Sequence, residues 1–271
     1  MPPHELFKTF RSFRHSKDRF SRESTDLIIE TPIEIIINDQ THTLIMFTPG
    51  MARELAVGFL FTEGLINSFS DIEECTIIPT RREGGEEFIE ARVKIPRGRS
   101  IPLAATGKRV SFSSCGICGN DNYYGLKNGL TRVKSKHRFS MEVLKGFLPG
   151  MRAYQPLYER TGGAHAAILL DYEGKEIFHC EDMGRHNALD KVIGSVLIKG
   201  ISSEDKILVS SGRASLEMIL KTARAGFPVF VAMSRPTSRA LEAAKFYNIT
   251  LVDMAKGSNC VYTHARRIEG F

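Results

Sequence analysis

The spacing of apolar residues changes character about halfway along the 271-residue chain. The first half has the β-branched content and short runs of strands. Residues 26–38 (DLIIETPIEIIIN) predict strand structure interrupted at Pro32, and Asp39-Gln40 predicts a turn into a second strand over 41–47 (THTLIMF). After Pro49-Gly50, residues 53–66 (RELAVGFLFTEGLI) carry apolar side chains at the spacing of an amphipathic helix. The REGGEE stretch around Glu83–Glu87 predicts an exposed turn between strand-like 75–79 and 88–95. Residues 96–108, rich in Pro, Gly and Arg, predict an irregular loop.

From about residue 140 the pattern alternates. Residues 141–151 predict a helix, 164–170 a strand and 187–198 a helix. A short strand over 206–210, a helix over 215–225 ending at Gly226, a strand over 227–233, a helix over 238–246 and a last strand over 249–254 follow. Strands alternating with helices imply crossover units, and so a layered, largely parallel α/β sheet. The expected organisation is a basic arm (1–22), a strand-rich N-terminal region (23–112), a connection holding a cysteine pair (113–140) and an α/β domain (141–271).

Composition narrows the class. Hydrophobic residues make up 42% and charged residues 25%, values of a folded globular chain. The longest apolar runs, AHAAILL (164–170) and FPVFVAM (227–233), fall far short of the roughly 20 residues of a membrane span. The N-terminus lacks the apolar core of a secretory signal. A cytoplasmic protein with no membrane partner is the expectation. The net charge of +6 suits an anionic ligand but is too weak to indicate nucleic acid. Six Lys and Arg against Glu5 and Asp18 crowd the first 22 residues. That segment reads either as a solvated, partly disordered arm or as a guide for an anionic partner.

Cysteines stand at 75, 115, 118, 180 and 260, an odd number unlike a disulfide framework. Cys115 and Cys118, in SSCGICGNDN (113–122), are each followed by glycine, which lets the backbone turn and present both sulfurs outward. Four readings fit these residues: half of a zinc site, a redox pair, an incidental pair in a turn, or sulfur or acyl chemistry on a nucleophilic thiolate. A zinc site would need two further ligands, and there is no second Cys-x-x-Cys. The glycine-rich surroundings argue against a redox pair at a strand-to-helix junction.

The second half carries anion-binding character. EDMGRHNALDK (181–191) places Gly184, Arg185, His186 and Asn187 at a predicted helix N-terminus, where free N–H groups favour an anion. Capping plus a surface ion pair is the alternative. SSGRAS (210–215) repeats the arrangement, with Arg213 offering a phosphate-matching fork, and SRPTS (234–238) and residues 256–259 follow two further strands. None is a Gly-x-Gly-x-x-Gly motif or a P-loop. Several such loops on one sheet edge nevertheless predict a nucleotide or phosphate-bearing ligand. His165, in TGGAHAA (161–167), is either structural or part of that pocket. A zinc deaminase would need a glutamate where Ala167 stands, which argues against that catalysis but not against a related scaffold.

These motifs in this order, with ELAVGFLFTEGLI at 54–66 and VYTH at 261–264, resemble the formate dehydrogenase accessory sulfurtransferase family. The resemblance implies a cytoplasmic homodimer with a cytidine-deaminase-like α/β domain. It implies that Cys115 receives persulfide sulfur from a cysteine desulfurase, with Cys118 assisting. That sulfur would pass to the molybdenum of the bis-molybdopterin guanine dinucleotide cofactor, held as a substrate, for the formate dehydrogenase catalytic subunit. No permanent metal is implied, and a guanine nucleotide should mimic the cofactor. The cofactor segment maps to Met254, Ala255, Lys256, Gly257, Ser258 and Asn259, beside Arg185, His186, Asn187, Arg213 and His165. Met254, Lys256 and Asn259 depart from the family's Phe-x-Arg-Gly-x-Arg, and lysine keeps the charge without the bidentate fork. A chaperone that holds the cofactor without transferring sulfur, and a zinc- or redox-dependent thiol protein, are the other readings.

Overall fold

The computed structural model describes residues 5–82, 84–96, 109–111 and 129–271. Its first element corrects the expectation of a partly disordered arm. Strands β1 (Phe7–Ser16) and β2 (Arg19–Ile28) form an antiparallel hairpin. Lys17 and Asp18 at its tip both have positive φ, the backbone that a tight two-residue hairpin turn requires. Charged residues alternating with aromatics gave no apolar face to read, but cross-strand pairing orders the ribbon. Arg14 Nε meets Glu23 at 2.7 Å, and Arg160 Nε donates to Asp26 at 2.7 Å to fasten the hairpin to the body.

A five-stranded sheet follows, in the order β5-β6-β3-β4-β7. Its strands are β3 (Thr31–Ile37), β4 (Gln40–Phe47), β5 (Glu74–Arg81), β6 (Glu87–Lys94) and β7 (Arg109–Ser111). The β3–β4 turn falls on Asn38-Asp39, one residue earlier than expected, because these two take positive φ. Pro32 does not interrupt β3. It pairs only with Met46, and the β6 pairing starts one residue later at Ile33, so its missing N–H costs no ladder bond on that side.

The second sheet runs β13-β12-β11-β10-β8-β9. It comprises β8 (His165–Leu170), β9 (Glu176–Asp182), β10 (Ile207–Arg213), β11 (Val229–Ser234), β12 (Thr250–Asp253) and β13 (Cys260–Val261). β10, β11 and β12 are parallel, while β8, β9 and β13 join antiparallel. The sheet is therefore mixed rather than largely parallel. The strand that changes the picture is β9, which has few buried apolar positions and was silent in the hydrophobic pattern.

Helices α1 (Ala52–Thr62), α2 (Met141–Phe147), α3 (Pro156–Thr161), α4 (Arg185–Lys199), α5 (Leu216–Ala225) and α6 (Ser238–Tyr247) complete the fold. One core joins Ile33, Ile35 and Phe47 of the first sheet to Leu55 and Leu60 of α1. It continues through Leu189 and Ile193 of α4 to Leu208 and Phe230 of the second sheet. A second cluster, including Phe139, Leu144, Ile168, Val209 and Val252, covers the sheet's other face. α1 and α4 cross at backbone contact. A Cβ on Gly58 would stand 1.9 Å from the Asp190 carbonyl oxygen, and one on Gly194 1.9 Å from that of Glu54.

Candidate functional site

Strand direction gathers the loops. β10, β11 and β12 run parallel, so their C-terminal ends share one edge, and β10 reaches Ser234 of β11 at Arg213. β8 begins and β9 ends at that same edge, where His165 pairs with Asp182. The N-termini of α4, α5 and α6 follow these strand ends, so three helix N-termini, the positive ends of their dipoles, stand along one edge of the sheet. This is where a ligand binds an open α/β sheet.

The β10 segment does not stop at Ser210 but continues through an irregular register to Arg213. That bulge turns Ser211 and Gly212 toward the neighbouring loops. Ser211 Oγ accepts from the Ala166 N–H at 2.9 Å and lies 3.4 Å from His165 Nδ1. Gly212 is tightly packed: a Cβ would sit 3.0 Å from Arg185 Cδ and 3.7 Å from His165 Nδ1. His165, Ser211, Gly212 and Arg185 thus touch. Burial, then the Arg185 charge, hold the His165 imidazole below its ordinary pKa against the pull of Asp182. Its ring is neutral near pH 7. Arg213 stands exposed at the rim.

Beneath the rim, α4 is anchored by two buried charge networks. Asp182 accepts from Thr48 N at 3.1 Å, Gly184 N at 2.9 Å and Asn187 Nδ2 at 2.9 Å, and pairs with Lys191 Nζ at 2.7 Å. Asn187 also donates to the Met46 carbonyl at 2.8 Å, so its amide ties α4 to the first sheet. In the second network Asp190 accepts from Thr62 Oγ1 at 2.9 Å and pairs with Lys221 Nζ at 2.6 Å. His186, also buried, presents Nε2 to Glu217 Oε2 at 3.5 Å, and neither atom has a hydrogen-bond partner among the described residues. Burial first, then Lys221, Arg185 and His165, lower the His186 pKa well below the usual value. Glu217 and Lys221 escaped the sequence reading. Their only signal was a Glu–Lys pair at four-residue spacing on the helix expected over 215–225.

Burial pushes the Glu217 carboxyl up to about 7; Glu63 and Asp190 act in the same direction, and Lys221 and Arg185 oppose. The folded protein therefore keeps this proton up to near pH 7, whereas an unfolded glutamate releases it near 4.5. The resulting stability is full below about pH 4.5 and is lost as pH rises through about 7. Glu217→Gln should remove that slope. Urea titrations at several pH values should show the variant losing roughly 1–3 kcal/mol less than the parent across that interval. Identical slopes would place the carboxylate in its ionised form throughout.

Residues 254–259 lie at the end of β12, two strands from β10 and so about 10 Å along the edge. Met254 is buried in the second core. Ala255–Gly257 make one 3-10 turn, held by Ala255 N to Asp253 Oδ1 at 2.7 Å and Ser258 Oγ to the Asp253 carbonyl at 2.7 Å. Gly257 and Asn259 both take positive φ, which curls this backbone, Lys256 included, over the edge. Cys115 and Cys118 lie outside the described residues. Of the other thiols, Cys180 is buried, donates to the Ala188 carbonyl at 3.1 Å, and is pushed by burial up to about 12, which keeps it inert. Among the described residues no group of three or more His, Cys, Asp and Glu side chains is placed to hold a metal ion, and no helix is long and apolar enough to cross a membrane.

Fold and topology define an α/β protein whose mixed sheet gathers three helix N-termini at the C-terminal ends of its parallel strands. The chain belongs to the FdhD/NarQ family, whose model matches residues 28–269. It is 37% identical over 256 residues to the sulfur carrier protein FdhD of Sulfolobus acidocaldarius, covering 93% of this chain and 95% of that one. The protein of the same name from Thermoplasma acidophilum is 36% identical, covering 92% and 89%. That from Xanthomonas axonopodis pv. citri is 30% identical, covering 98% and 93%. A crystal structure of a protein assigned as a formate dehydrogenase accessory protein, from Desulfotalea psychrophila, superposes with a TM-score of 0.77 at 25% identity. It covers 97% of this chain and 100% of that one.

Proposed function

We propose that this chain carries sulfur as a persulfide on Cys115 and delivers it to the molybdenum of bis-molybdopterin guanine dinucleotide, for use by formate dehydrogenase. The observation that carries this reading is the Cys-Gly-Ile-Cys pair at 115–118 in a chain of a family whose relatives are sulfur carrier proteins. The sulfur comes from a cysteine desulfurase. The Cys115 thiolate attacks the outer sulfur of the donor's persulfide, the donor's S–S bond breaks, and the donor leaves as a thiolate. Release needs two electrons. Cys118 supplies them by attacking Cys115 Sγ, which expels hydrosulfide toward the metal and leaves a Cys115–Cys118 disulfide for a cellular thiol reductant to open.

The crevice supports the second half of the reading. Arg185, Arg213, the His165 ring and three helix N-termini share one sheet edge, and the 254–259 turn extends that edge. A dinucleotide with several phosphates needs this kind of length and charge. The working unit is a homodimer, and GDP stands in for the cofactor's guanine dinucleotide arm.

Arg213→Ala removes one charge-assisted phosphate bond, worth on the order of 1.5–3 kcal/mol, or about ten- to a hundredfold in affinity. Calorimetry should show GDP binding weakened by that factor, while sulfur loading on Cys115 stays as in the parent. Unaltered GDP affinity, or sulfur loading that falls in parallel, contradicts the division between a thiol loop and a cofactor crevice.

A further inference from the structure

The opposite edge of the second sheet holds a pocket of about 660 Å³ that the proposed sulfur transfer does not use. Arg267 fixes its position. Its guanidinium donates to Thr250 Oγ1 at 2.9 Å and to the Pro228 carbonyl at 3.3 Å, groups where β12 and β11 begin. The crevice lies where those strands end, four to six residues and therefore about 13–20 Å away. The two sites are separate.

The lining is cationic. Lys136, His137 and Arg138 come from the segment leading to Phe139, and His264, Arg266 and Arg267 from the turn that follows β13. Among the described residues no carboxylate forms an ion pair with Lys136, Arg138, Arg266 or Arg267. The buried lysines Lys191 and Lys221, by contrast, each meet an aspartate. Arg267 is buried and Arg138 Nη2 donates to the Ile268 carbonyl at 3.3 Å, so two of the cations are held in place rather than free to swing away. His264 Nε2 lies 3.0 Å from the Lys245 carbonyl oxygen, which sets the ring with Nε2 as the donor. Several cations gathered on one concavity, with Asp205 beside His137 the one acidic group among the described residues that acts on them, favour an anion there.

We propose that this pocket is a second ligand site, for a phosphate-bearing small molecule of about nucleotide size. Guanidinium forks match phosphate oxygens two at a time, and Arg138 and Arg266 line this concavity from two separate segments of the chain. The volume lies in the range of small-molecule sites. A nucleic acid would ask for a stripe of charge along a surface, whereas these cations converge on one hollow.

Inorganic pyrophosphate is the probe, with hydrogen–deuterium exchange as the site-specific readout. The full chain should show protection of residues 264–268 at submillimolar pyrophosphate. The double variant Arg138→Glu, Arg266→Glu, whose two changed side chains are exposed, should lose that protection and weaken binding there at least tenfold. Its circular dichroism and its GDP affinity in the crevice should match the parent. Arg266→Lys, which keeps the charge but not the fork, should fall between. Protection that persists in the double variant overturns the proposal. So does a pocket that ignores pyrophosphate but binds a polyglutamate peptide, or one that charge reversal shows to be an interface by splitting a dimer. Each of these readouts is independent of whether Cys115 carries sulfur.

Discussion

Gly194→Ala should destabilise the protein by about 3 kcal/mol or more, although alanine is the best helix former and glycine among the worst. The reason is the crossing of α1 and α4. The added methyl carbon would stand 1.9 Å from the Glu54 carbonyl oxygen, and the reciprocal change at Gly58 would meet the Asp190 carbonyl at the same distance. No rotamer relieves a clash between a Cβ and a backbone, so the helices must separate, opening the core between the two sheets. Asp190 would move with α4, loosening its 2.6 Å pair with Lys221 under the crevice. For a chain of this size the loss corresponds to a drop in Tm of about 6–12 °C. Gly146→Ala in α2 is the control. Nothing stands within 4 Å of a Cβ there, so it should be neutral or slightly stabilising. A Gly194→Ala protein melting within about 2 °C of the parent would contradict the close crossing.

The second large effect is on function. Cys115→Ala should abolish activation of formate dehydrogenase in cells lacking the parent protein, with the variant accumulating normally. Two of the described thiols are poor substitutes: Cys180 is buried and held protonated, and Cys75 is shifted upward, chiefly by burial, against the pull of Arg53. Only a thiolate attacks a persulfide. Cys118→Ala should retain loading but slow delivery, because an external thiol must then supply the electrons. Full activation by Cys115→Ala would leave the chain as a cofactor-holding chaperone.

Much of this architecture was legible because it rests on local chemistry. The alternation of strands and helices after residue 140 showed in the apolar spacing, and Gly226, with φ of +79°, marked the end of α5 as a glycine should. The placing of loops 210–215 and 254–259 on one edge followed from the direction of the strands before them, whereas loop 181–187 reaches it through β9, which the apolar spacing did not show. What stayed hidden was decided between distant segments. The hairpin over 7–28 is ordered by cross-strand charge pairs and by Arg160, which lies more than a hundred residues away in sequence. β9 belongs to the sheet by its ladder with β8 rather than by its side chains. Asn187 read as an anion-binding group at a helix start, yet it and Lys191 are buried partners of Asp182 and of the backbone at Met46 and Thr48. Gly58 and Gly194 fall inside two helices, and only the crossing shows why nothing larger stands there.

The most direct test of the central claim is the intact mass of the protein after incubation with a cysteine desulfurase and cysteine. The parent should gain about 32 Da, one sulfur atom, removable by a thiol reductant. Cys118→Ala should gain it too, and Cys115→Ala should not. A mass gain that survives Cys115→Ala, or a parent that gains nothing from an active desulfurase, would contradict the assignment of Cys115 as the sulfur-bearing residue.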